Sequence, residues 1–134
     1  MKFGEKLKDL RKEKGLNQTA LAKEIGVSLR TVISYEAGKS YPKKREIYTR
    51  LAEYFDLDIN YFLTEDEEFI VNAEEKYGNR AAKQAAELVT EIGGLFAGGE
   101  LSEADKDAVM RSLQQAYWDA KEDNIKYTPK KYRK

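Results

Sequence analysis

The chain has 134 residues, with 24 basic and 24 acidic side chains, no histidine and no cysteine. That length suits one domain or two small ones. Without cysteine there is no disulfide or thiol chemistry, and without histidine the common catalytic triads and histidine-based metal sites are closed. No apolar run is long enough to span a membrane, and the charged, helix-patterned N-terminus does not read as a signal peptide. The expectation is a cytoplasmic protein, with no metal and no cofactor.

The zero net charge conceals a segregation. Residues 1–63 hold 13 Lys or Arg against 9 Asp or Glu, residues 64–125 hold 6 against 15, and residues 126–134 hold 5 basic residues and no acid. A basic head and tail around an acidic middle suit a first domain that meets phosphate and a second that does not. A soluble acidic helical face fits the middle equally well.

Residues 17–42, NQTALAKEIGVSLRTVISYEAGKSYP, are the most informative stretch. Ala20, Leu21 and Ile25 form one apolar face, and Val32 and Tyr35 begin a second. Between them lies a tight break at Gly26-Val27-Ser28. Asn17 suits the N-cap of the first short helix, Gly26 its left-handed end, and Ser28 the N-cap of the second. Gly38 and Pro42 stop the second helix. Two short helices joined by a Gly-containing turn are the helix-turn-helix unit, whose second helix can enter the DNA major groove. A generic helical hairpin has the same spacing.

Together with the preceding FGEKLKDLRKEKGLNQ, this pattern closely resembles the Cro/C1-type helix-turn-helix family of phage and bacterial repressors. The resemblance covers residues 3–63 and is most specific in LRKEKGLNQTALA, GVS and the run from Thr31 through YEAGKSYP. It implies an all-α fold: a five-helix lambda-repressor-like DNA-binding domain with helices at Phe3–Lys14, Gln18–Ile25, Leu29–Ala37, Lys44–Phe55 and Ile59–Leu63. By resemblance, Gln18 is the phosphate-clamping glutamine, and Arg11 and Glu36 form a buried salt bridge between the first and third helices. Ser28, Leu29, Arg30, Thr31 and Ser34 then face DNA, with Lys39, Ser40 and Lys43 in the loop that follows its backbone. Arg30 is the strongest base reader, because a guanidinium pairs bidentately with guanine. Leu29 and Ile33 depart from the polar residues often found there. They would pack on thymine methyls or fill a gap in the domain surface.

Thr64-Glu65-Asp66-Glu67-Glu68 marks the expected boundary, giving a DNA-binding domain at 1–66, a helical dimerisation region at 67–125 and a basic tail at 126–134. Phe69, Ile70 and Ala73 begin a short apolar face. Ala81, Ala85, Leu88, Val89, Ile92, Leu95 and Phe96 then recur at helical steps. Ser102 opens a last helix with a capping-box variant, and Val109, Leu113, Ala116, Tyr117 and Ala120 form its stripe. This C-terminal helical hairpin cannot bury both stripes alone. It would dock on the first domain or, the favoured reading, on a second copy through Leu88, Val89, Ile92, Leu95, Phe96, Val109, Leu113 and Tyr117. A homodimer suits a palindromic operator. The tail interleaves Tyr127 and Tyr132 with cations, as a DNA-phosphate contact or, preferred, a solvated end.

An enzyme is not expected. Ala97-Gly98 with Ser102 and Lys106 superficially suggests a self-cleaving repressor, but that chemistry belongs to a mostly β domain, and residues 64–125 read as helix. The expected function is sequence-specific binding of double-stranded DNA as a dimeric repressor of a phage or mobile-element promoter. The alternative is an antitoxin-type autoregulator whose C-terminal helices bind a protein partner.

Overall fold

The computed structural model describes residues 2–96, 99 and 101–127, and every regular element among them is helical. In chain order these are α1 (Phe3–Glu13), α2 (Gln18–Ile25), α3 (Leu29–Glu36), α4 (Arg45–Phe55), a single 3-10 turn (Ile59–Tyr61), α5 (Glu65–Tyr77), α6 (Asn79–Phe96) and α7 (Glu103–Tyr127). The all-α expectation holds. The fifth expected helix is one 3-10 turn, opened by the Asp58 carboxylate, which accepts the Asn60 N–H at 2.8 Å. The Ala97-Gly98 bond and residues 128–134 of the tail lie outside the described residues.

The short helices start and stop where local chemistry directs. Asn17 Oδ1 accepts the Ala20 N–H at 2.8 Å, satisfying a free donor at the start of α2. Gly26 ends α2 at φ 74°, a left-handed conformation a side chain would strain. Two residues later Ser28 Oγ accepts the Thr31 N–H at 3.1 Å and opens α3.

Neither eight-residue helix would persist alone, since isolated helices this short are marginal in water. Burial holds them. Phe3, Leu7, Leu21, Ile25, Val32, Tyr48, Leu51 and Phe62 form the centre of one apolar cluster. The Phe3 ring meets Tyr35, Tyr48 and Phe62 edge-on, with centroids 5.6–6.3 Å apart. A Cβ at Gly4 would stand 2.3 Å from the Tyr35 carbonyl oxygen, so α1 and α3 approach through a position only glycine can fill.

The chain divides into two compact units, residues 1–91 and 92–134. The first therefore continues well past residue 66, where the acid-rich run suggested a boundary. The reason lies in α5. Its Phe69, Ile70, Val71 and Ala73 are buried, and Val71 belongs to the central cluster. Its acids are engaged as well. Arg45, at the start of α4, donates to Glu68 (2.9 Å), Asn72 (3.3 Å) and Glu75 (3.0 Å), and Lys44 pairs with Glu74. Glu68, Glu74 and Glu75 thus form an internal clasp for the basic start of α4. Ala81, Ala82, Ala85, Ala86 and Val89 of α6 are buried too.

The second unit comprises the end of α6 and the 25-residue α7. Ser102 Oγ accepts the Asp105 N–H at 3.1 Å, so this serine is a helix cap. Met110 is buried, whereas Leu95 is 76% exposed and Leu101 and Val109 are also open. Among the eight residues assigned to a dimer contact, Val89 needs correction. At 4% exposure it is already packed within one chain, and it falls in the first unit. Leu88, Ile92, Phe96, Leu113 and Tyr117 are half-buried.

Candidate nucleic-acid interface

The geometry of the site follows from the two sides of α3. Val32 and Tyr35 turn inward and are buried. On the opposite side Ser28, Leu29, Arg30 and Ile33 are exposed, with Thr31 and Ser34 half-buried. Burial pushes the Tyr35 phenol up to about 12, so this tyrosine is a neutral anchor under the helix.

Polar contacts fix α3 to its neighbours. Arg11 Nε donates to Glu36 Oε2 at 2.7 Å and Nη2 to Oε1 at 3.0 Å, a bidentate pair with both side chains nearly buried. The hydrogen bond to Glu36 raises the Arg11 pKa against the opposing cost of burial. Arg11 Nη1 also donates to the Leu16 carbonyl at 2.8 Å, bracing the turn into α2. Gln18 Nε2 donates to Glu36 Oε1 at 3.2 Å. One carboxylate therefore orients both Arg11 and Gln18. That link ties the start of α2 to the end of α3, and sequence spacing gave no sign of it.

At the start of α3, Ser28 Oγ lies 2.9 Å from Thr31 Oγ1, so one hydroxyl donates to the other beside the N-cap. At its end, Ser34 Oγ and Ser40 Oγ are 2.7 Å apart, pinning the loop after α3 back onto the helix. Tyr48 supports that loop from below by donating to the Pro42 carbonyl at 3.1 Å.

The loop carries Lys39, Ser40 and Lys43 to one wall of an open groove of about 240 Å³. The other wall is α6, with Lys83, Glu87 and Glu91. Sequence reading placed the loop lysines but missed their α6 neighbours. Lys83, Glu87 and Glu91 sit at i, i+4 and i+8, a one-face signal that does not say which surface the face meets. At the start of α5, Glu67 is buried and its pKa is raised by that burial, while the Thr64 hydroxyl donates to it at 3.0 and 3.1 Å.

A capped helical pair on a compact helical frame, its second helix anchored inward and open outward, defines a Cro/C1-type helix-turn-helix domain. Residues 4–68 match the family described as "Helix-turn-helix domain", which supports a regulator of the Cro/C1 type. This is a DNA-binding regulator family rather than an enzyme family. The chain is 36% identical to the cryptic phage CTXphi transcriptional repressor RstR of Vibrio cholerae over 55% of its own length and 63% of that protein's. It is 28% identical to the immunity repressor protein of Bacillus phage phi105, over 99% of this chain and 96% of that one. A third relative, the HTH-type transcriptional activator BcrR of Enterococcus faecalis, is 36% identical over 55% of this chain and 35% of its own length. The chain thus spans under two thirds of the first and third relatives. No solved structure matches it significantly. No helix among the described residues is long and apolar enough to cross a membrane.

Proposed function

We propose that this protein is a phage-type transcriptional repressor that binds duplex DNA sequence-specifically, with α3 in the major groove. The carrying observation is the two-sidedness of α3. Val32 and Tyr35 anchor it, Glu36 locks it to Arg11 and Gln18, and Arg30 extends outward. Arg30 would read guanine through its bidentate fork, while Ser28, Thr31 and Ser34 would meet base edges or phosphates. Gln18 has a second amide proton to donate to a backbone phosphate, with its orientation set by Glu36. Lys39 and Lys43 would neutralise phosphates and make binding strongly salt-dependent.

Two copies would join through the C-terminal helices, each reading one half-site. The exposed Leu95, Leu101 and Val109 support this. The similarity to a phage transcriptional repressor and to an immunity repressor favours this reading over an antitoxin.

The test is titration of the full chain against duplexes recovered from a randomised pool and against unrelated duplexes, with footprinting upstream of its own gene. The expected result is a preference of about 10³-fold or more for the recovered sites. Equal affinity for every duplex would overturn the proposal.

A further inference from the structure

The helix assigned to base reading exposes large aliphatic side chains. Leu29 is 43% exposed and Ile33 46%. They lie four residues apart, one turn along the same side of α3. Neither is part of the central cluster nor among the apolar residues packed at its margin. Val32 and Tyr35 already supply the inward face of this helix. Leu29 and Ile33 therefore do not fill a gap in the domain surface, and their exposure is unfavourable in the free protein.

The base edges of the major groove offer one apolar feature, the C5-methyl group of thymine. Elsewhere they present donors and acceptors. An aliphatic side chain pressed against those would strip them of water and return no hydrogen bond, which is costly. The pair therefore discriminates in two ways, by favouring a methyl and by disfavouring a bare polar edge. A protein occupant fits less well. Arg30 and Lys39 are exposed on and just after the same helix, so two copies of this face would oppose like charges, whereas a polyanion complements them.

We propose that Leu29 and Ile33 form a thymine-methyl reader, so that each operator half-site carries thymines beside the base pair faced by Arg30. The inference rests on the DNA-binding reading above and specifies the sequence class it recognises.

The experiment uses the unaltered full chain and the tightest duplex recovered from a randomised pool. Each thymine in turn is replaced by deoxyuridine, which removes the methyl and nothing else. At one or two positions per half-site, affinity should fall about fourfold per methyl, the worth of burying one carbon-sized group. A variant carrying Leu29→Ser and Ile33→Ser should bind thymine and deoxyuridine duplexes equally, while retaining its preference at the base pair read by Arg30. Equal affinity of the unaltered chain for thymine and deoxyuridine at every position would overturn the inference. So would an undiminished thymine preference in the double variant, or loss of self-association as its only defect, which would make this face a protein contact. Binding without methyl sensitivity defeats this inference alone. Recovery of no preferred duplex defeats the DNA-binding reading together with it.

Discussion

Residues 1–91 and residues 92–134 are both helical, yet they are stabilised differently. In the first unit an eight-residue helix such as α3 is secure, because Val32 and Tyr35 are buried and Glu36 is held by two partners. In the second, a helix of 25 residues leaves Val109 exposed, and Leu95 near the end of α6 is 76% exposed. Length confers less than burial: propensity contributes little per residue, whereas a buried leucine contributes about 1.5–3 kcal/mol. The first unit has the contents of a finished domain. The second carries apolar surface that a partner could cover.

The comparison breaks most visibly at that surface. Leu95→Asp with Val109→Asp alters only exposed positions, so thermal melting of the first unit should be unchanged. Sedimentation should shift from dimer to monomer, and apparent operator affinity should fall by roughly 10²–10⁴-fold as two linked readers become independent. A full chain that sediments as a monomer at high concentration would show that the second unit does not join copies.

In the first unit the largest effect is expected at Arg11. Arg11→Ala leaves the Glu36 carboxylate buried without its main counter-ion and should cost about 3–5 kcal/mol in a denaturant melt. The same variant should also bind operator more weakly at temperatures where it is folded, because Gln18 loses a fixed partner. A melt shift within error would mean that Glu36 finds water instead.

On the DNA side, Arg30→Ala should weaken operator binding by about 1–3 kcal/mol and relax preference at one base pair per half-site. Lys39→Ala should weaken all sequences alike and reduce the salt slope by about one. Titrations on single-base operator variants at several salt concentrations separate the two.

The smallest effect sharpens the view of α5 as part of the first unit. Burial raises the Glu67 pKa, so the folded protein retains a proton that the unfolded chain has released. Stability from this group is therefore lost as pH rises from the ordinary carboxylate range through the folded value. Glu67→Gln keeps an acceptor for Thr64 and removes the buried charge. It should raise the melting temperature at about pH 7 and change it less at about pH 4. An equal change at both would place Glu67 in solvent.

What the sequence could determine was local. Asn17, Gly26 and Ser28 act within three or four residues of themselves, so caps, turns and helix ends were legible to within a residue or so. The inward and outward sides of α3 were legible too, because helical periodicity separates Val32 and Tyr35 from Arg30. Tertiary structure decided everything that depends on which face meets which. The acids of α5 read as a solvated run or a boundary, but Arg45, about 23–30 residues earlier, gathers Glu68, Asn72 and Glu75 into the first unit. Val89 read as part of an open stripe and is buried within one chain. Glu36 read as half of an ion pair and also orients Gln18. Leu29 and Ile33 read as either filler or contact, and their exposure on the folded helix, outside the central cluster, is set by tertiary packing. Periodicity shows that a helix has a face. The partner of that face is set by long-range packing, whose closure entropy and burial no short window of sequence contains.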